Sequence, residues 1–221
     1  MRDILWEDAY VVPPTVEPLT IETVREQRRI TSRSLDARLD AWRRAARQQF
    51  EEETGLQLIT ATRHFTLERF PVQPAIEVGR APVQTVLSVS YLDSTGARQV
   101  MDSTQYEPFP QTAFPEDSPP TLQAYGPYAT PGGIQLVTGA SWPTSADRAG
   151  AVRIVYQAGF GDTPDTIPEL LRYALLQYVG DFHRWDSNQA EGAVAVLPIG
   201  TMMIRRQAAG MMRSTRRLTR W

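Results

Sequence analysis

The sequence predicts an α+β fold: a helical bundle core with an inserted antiparallel β region at about residues 56–162 and extended N- and C-terminal arms. Three observations predict it. Apolar residues recur with the helical period of 3.6 over 34–54 and 167–186, with a two-residue strand period between them. Proline punctuates the first 18 residues, and arginine without any acid marks the last 30. The organisation expected is an N-terminal arm (1–18), a single domain (19–186) and a C-terminal basic amphipathic arm (187–221).

The elements follow in order. Residues 1–18 hold Pro13, Pro14 and Pro18 and read as extended, with Trp6 and Tyr10 as anchors. "TIETVREQRRI" predicts a helix over 20–30, with Thr20 as N-cap and Glu22 in the first turn, where the helix dipole favours an acid. A longer helix is expected over 34–54. Ser34 caps it, Leu35, Leu39, Trp42, Ala46 and Phe50 share one face, and Gly55 ends it. Arg43, Arg44, Arg47 and Glu51 then face solvent or a neighbour.

After Gly55 the period changes. "ATRHFTLERF" sets Phe65 and Leu67 against His64, Thr66 and Glu68, and "TVLSVSYLDSTGARQVM" reads as two strands joined at Asp93–Gly96. Seven prolines between Tyr106 and Pro131 predict a long surface loop. "GGIQLV" and "AVRIVYQAGF" are two further strands, with "GASWPTSADRAG" as the turn between them. A last helix is expected over 167–186, with Thr166 as N-cap and Pro168 in its first turn. Its apolar positions, from Ile167 and Leu170 through Tyr178 to Trp185, cover nearly half its circumference and predict deep packing, most simply against helix 34–54.

Composition narrows the function. The 221 residues include no cysteine, which excludes disulfides, thiolate metal sites and thiolate catalysis. Hydrophobic content of 42% and charged content of 22% are those of an ordinary globular protein. No apolar run approaches the roughly 20 residues needed to span a bilayer. The N-terminal "MRDILWEDAYVV" carries acids where a signal peptide needs basic and then apolar stretches, so a cytoplasm-like compartment is expected.

No catalytic constellation is legible. His64 and His183 stand alone, and HExxH, GxSxG and paired histidines at metal spacing are absent. "GFGD" at 159–162 lacks the lysine and further glycine of a phosphate loop and reads as a turn. No catalytic residue, metal or cofactor is expected. The one enzymatic alternative is a pair of distant carboxylates, as in a glycosidase.

The C-terminal segment is the sharpest feature. From Gly192 on there are six of the 23 basic residues, all arginine, and none of the 25 acids, on a chain of net charge −2. Wound as a helix, Ile204, Ala208, Met211, Thr215 and Leu218 fall within about 40° of one line, and the six arginines lie on the opposite side, at about 100–220°. Gly210 weakens that helix by about 1 kcal/mol relative to alanine, so it should form on a partner. An acidic protein groove, DNA, a membrane surface or the protein's own bundle would each accept it.

The order of segments resembles a known family. "PLTIETVREQRRI", "FEEETGLQLITATRHFTLERFP", "VGRAPVQTVLSVSYLDSTGARQVMDSTQYEPF", "GGIQLVTGASWP" and "AVRIVYQAGFGDTPDTIPELLRYALLQYVGDFHRW", over roughly 18–186, are together similar to the head-tail connector (adaptor) proteins of tailed bacteriophages. The resemblance implies a non-enzymatic virion component of the neck. It would assemble in the host cytoplasm as a dodecameric ring beneath the portal, extending the DNA channel and docking a stopper or tail-completion protein.

Double-stranded DNA would pass through without sequence-specific binding, and no membrane is involved. The resemblance also implies that the C-terminal segment docks on the portal. Here that assigns portal binding to Ile204, Arg205, Arg206, Met211, Met212, Arg213, Arg216, Arg217, Leu218, Arg220 and Trp221, and inter-subunit or channel-facing positions to Arg43, Arg44 and Arg47. The chain departs from the commoner form in having about 17 extra N-terminal residues and a longer, more basic C-terminus. The alternatives are a tail-completion or stopper-type neck protein, or a virion-associated peptidoglycan hydrolase.

Overall fold

The computed structural model describes residues 6–109 and 132–191, so most of the proline-rich stretch and the basic C-terminal arm lie outside the described residues. In place of one domain over 19–186, the chain divides into two compact units. Unit 1 takes the residues up to Pro14 together with Thr60–Gly159, and unit 2 takes Thr15–Ile59 and the residues from Phe160 on.

Unit 1 is antiparallel β structure. Its five-stranded sheet has the order β1-β2-β8-β4-β5, built from β1 (Trp6–Val12), β2 (Ala61–Leu67), β4 (Val83–Leu92), β5 (Arg98–Val100) and β8 (Val152–Ala158). A second sheet, β3-β7-β6, is built from β3 (Ala75–Glu77), β6 (Tyr106–Phe109) and β7 (Gly133–Leu136). In β2 and β8 every second residue is buried, the signature of a sheet with one covered face.

The buried sides meet in register: Phe65 stands opposite Ile154 and Leu67 opposite Val152. Together with Val89, Ile134 and Tyr156, all fully buried, they form a core belonging to the β region itself. The β region is therefore not a mere excursion from a helical core.

Two expectations change here. Residues 6–12 are not a free arm but an edge strand, paired antiparallel with β2 from Trp6 opposite Leu67 to Val12 opposite Thr62. The expected loop starts later, because Tyr106–Phe109 is a strand. Its Pro108 is tolerated because β6 lies at the edge of its sheet, where a missing N–H breaks no ladder.

The hairpin turn stands where the sequence puts it. Asp93 Oδ1 accepts from the Thr95 and Ala97 amides at 2.9 and 3.0 Å, and Gly96 takes the positive φ (83°) that the turn requires. The segment before β8 is more than a turn, since Trp142 stacks on Phe70 with ring centroids 5.0 Å apart and donates from Nε1 to the Gln73 carbonyl.

Unit 2 holds three α-helices among the described residues: α1 (Ile21–Arg28), α2 (Asp36–Thr54) and α3 (Glu169–Glu191). Thr20 caps α1 as expected, its hydroxyl accepting from the Thr23 amide at 3.0 Å. Gly55 (φ 67°) ends α2. The start of α2 is different: Ser32, not Ser34, accepts the capping bond, and it does so for a single 3₁₀ turn at 33–35 that leads into the helix.

Thr166 likewise closes a 3₁₀ turn, and the Pro168 carbonyl accepts the first bonds of α3 from Leu171 and Arg172. α2 and α3 pack on each other. Phe50 meets Tyr178 edge to face at 5.3 Å, and the Tyr178 hydroxyl donates to Glu53 at 2.7 Å. Gly180 leaves room for Arg28 of α1, which lies where a Cβ would sit and donates to the Leu176 carbonyl at 2.8 Å. The front of α3 is less packed than its pattern suggests, with Leu170 74% exposed.

Candidate functional site

The three arginines expected on the outer face of α2 meet different fates. Arg43 donates from Nε to Asp40 at 2.8 Å and from Nη1 to the Leu19 carbonyl at 2.6 Å. Arg44 also reaches Asp40, but its side chain remains 60% exposed. Burial alone would raise the Asp40 carboxyl; the hydrogen bonds and charges of Arg43 and Arg44 outweigh it and hold it below its usual range.

Arg47 is buried. It donates to Glu17 at 2.8 Å and to Glu51 at 2.9 Å, and Glu51 in turn accepts from the Gln57 side chain and the Leu58 amide, both at 3.0 Å. Arg47 and Glu51 are thus internal, not solvent- or channel-facing, and Arg43 is largely committed within its own chain. The reason is the width of the buried arc: on α2 it runs beyond the apolar stripe to include 47, 51 and 54. The residues expected to bind the portal, Ile204 to Trp221, lie outside the described residues.

A second buried polar constellation belongs to unit 1, and the sequence did not reveal it. Successive residues of β1 alternate faces, which puts Asp8 and Tyr10 on the core side of the sheet beside Arg63 of β2 and Tyr156 of β8. Arg63 Nε donates to Asp8 Oδ1, and the Tyr156 hydroxyl donates to Asp8 Oδ2. The Arg63 guanidinium lies over the Tyr10 ring, 4.1 Å from its centroid.

The Arg63 and Asp8 side chains are 4% and 5% exposed. Gly79 closes the site, since a Cβ there would run into the Asp8 carboxyl. Burial would lower the Arg63 guanidinium, but Asp8 beside it reverses the direction and raises it. Burial and the Asp8 charge drive the Tyr156 hydroxyl far above its usual range.

Both groups therefore keep their protons, and both donate to one carboxylate. That arrangement fixes a strand, and it supplies neither a free base nor an activated nucleophile. One signal in the sequence pointed to it: in "ATRHFTL" Arg63 falls on the same side as Phe65 and Leu67, and an arginine on a core face needs a buried acid.

The two histidines take no part. His64 sits half-buried on the opposite face of β2, and His183 packs edge-on against Trp42 at 5.2 Å. Among the described residues no group of three or more His, Asp or Glu is placed to hold a metal ion.

The fold with this strand order and register has counterparts among solved structures. It is that of a chain in a gene transfer agent neck. The neck of an empty gene transfer agent particle, computed with C6 symmetry, contains a chain that matches with a TM-score of 0.67 at 20% identity, over 92% of this chain and 94% of that one. The virion of a native particle gives 0.65 at 20%, over 93% of each. The neck of a native particle, computed with C12 symmetry, gives 0.65 at 22%, over 92% and 94%. At these identities the likeness is one of fold, and it spans both units. No protein-family model and no curated protein matches the chain.

Proposed function

We propose that this protein is a structural, non-enzymatic component of the neck of a phage-like virion: a head-tail adaptor that assembles as a ring beneath the portal. The observation that carries this reading is the end-to-end likeness of fold to chains from gene transfer agent necks. A neck computed with C12 symmetry supports a ring of twelve copies, which requires a head-to-tail contact that closes on itself.

The buried charges support a scaffold role as well. Arg47 and Arg63 are matched by internal acids and build stable units, with no reactive group among them. In this reading the ring extends the channel through which double-stranded DNA passes without sequence-specific contact, and it docks a stopper or tail-completion protein below.

The basic C-terminal arm, which begins only after α3 ends at Glu191, is the portal-docking element. Its apolar stripe around Ile204, Met211 and Leu218 needs a protein surface, and its arginines pair with acids on that surface. Negative-stain images of the purified protein, alone and mixed with portal protein, test the reading. Rings stacked on portal are expected. Deleting 201–221 should leave the folded protein intact and abolish portal binding, and retained binding overturns the docking role of the arm.

A further inference from the structure

We propose that β1 is an exchanged strand: in the assembled ring, the β1 of each copy occupies the seat formed by Arg63, Tyr156 and Gly79 in the next copy. The proposal rests on the ring reading above, because exchange needs a second copy held close.

The seat recognises β1 by its side chains. The Asp8 carboxylate takes one hydrogen bond from Arg63 and one from Tyr156, Tyr10 lies against the guanidinium, and Gly79 leaves just the space the carboxyl fills. Every copy carries the same Asp8 and Tyr10, so a neighbour's strand fits as well as the chain's own.

The connection does not enforce pairing within one chain. β1 is not joined to β2 by a hairpin. The rest of unit 1 begins at Thr60, and the intervening residues 15–59 belong to unit 2. Pro13 and Pro14 follow the strand directly, and a proline pair keeps the chain extended where a return turn would otherwise be made. Only residues 13–16 separate β1 from Glu17, which Arg47 holds, and a short extended hinge of this kind favours exchange with a neighbour over a return within the chain.

The surface along the exit path is apolar and uncovered. Val11, Val12 and Val16 are 45, 51 and 40% exposed, and the ladder register shifts between Tyr10 and Val12, where the strand leaves the sheet. An exchanged strand would lay these valines across the neighbouring subunit.

The protein has no cysteine, so an engineered disulfide can report the exchange without background. Ala9 stands directly opposite His64 across the β1–β2 ladder on the outward face. Directly opposite Cα atoms lie about 4.5–5.5 Å apart, within the span of a disulfide. The full chain carrying A9C and H64C is oxidised under conditions that form rings, then run on a non-reducing denaturing gel and imaged by negative stain.

Exchange predicts a ladder of disulfide-linked chains. Mixing the A9C chain with the H64C chain should give covalent heterodimers at several times the yield of A9C homodimers. Internally closed monomers in intact rings would overturn the exchange and leave the neck reading standing. A ladder without rings would support the exchange and count against the ring. No disulfide in either form, or A9C homodimers as abundant as heterodimers, would also overturn the proposal.

Discussion

Arg63 in unit 1 and Arg47 in unit 2 are both buried, but they acquire their counter-charges by different routes. Arg47 takes one acid from its own helix, Glu51 at i+4, and a second from Glu17, with α2 placing the first automatically. Arg63 depends on Asp8, which lies 55 positions away and arrives only when β1 docks. A local pair forms with its helix; a distant pair reports that the tertiary structure is complete. The first kind stiffens an element, and the second decides whether an element is held at all.

This contrast can be broken or sharpened by substitution. The largest effect is expected from Asp8→Ala, which removes the carboxylate facing Arg63 in the core and should cost about 3–5 kcal/mol in urea unfolding. A loss under about 1 kcal/mol would show that the latch carries little of unit 1, since even a single buried hydrogen bond is worth that much. Glu51→Gln should cost less, roughly 1–2 kcal/mol, because the amide oxygen still accepts from Leu58 and Glu17 still faces Arg47. If the two substitutions prove equal, the distinction between local and distant pairs fails.

A third test uses pH on a carboxylate that is local and open to solvent. The Asp93 carboxyl is held at about 2 by hydrogen bonds from the Thr95 and Gln99 side chains and from the Thr95 and Ala97 amides, against an ordinary value of 3.8. Because the folded value is depressed, its contribution is complete above about pH 4 and is lost as pH falls from 3.8 toward 2. A carboxyl NMR titration should place its midpoint near 2, and Thr95→Ala should move it upward. The smallest effect belongs to Arg44→Ala. Its exposed pairing with Asp40 predicts a change within about 0.5 kcal/mol in the isolated protein. A wild-type Tm combined with weakened ring formation would assign Arg44 to a subunit contact.

Much of the fold was legible because it is written in short-range chemistry. The periodicity of α2 and α3, the Thr20 cap, the Gly55 terminus and the Asp93–Gly96 turn all depend on residues within a few positions of each other. The 6–12 strand was not legible as part of a sheet. Its partner starts at Ala61, its core-side residues include an aspartate, and its prolines read as an extended arm. Arg47 and Glu51 were misplaced for a related reason: a helical wheel shows which side is apolar, but not how far the surrounding protein wraps around it. Ser34 and Thr166 were one short turn away from the true starts, because a 3₁₀ turn and a helix share the same capping chemistry.

The amino-acid sequence by itself determined the α+β class, the three helices seen among the described residues, the Asp93–Gly96 turn, the absence of thiol chemistry and the segregation of apolar and basic residues in the C-terminal arm. All of these follow from spacing and residue type along the chain. The tertiary structure alone decided that β1 joins the sheet, that Arg47 and Arg63 are interior residues, and that Asp8 completes a site. Those outcomes turn on which buried charge finds which opposite charge, and that choice is made only when segments distant in the sequence are brought together in space.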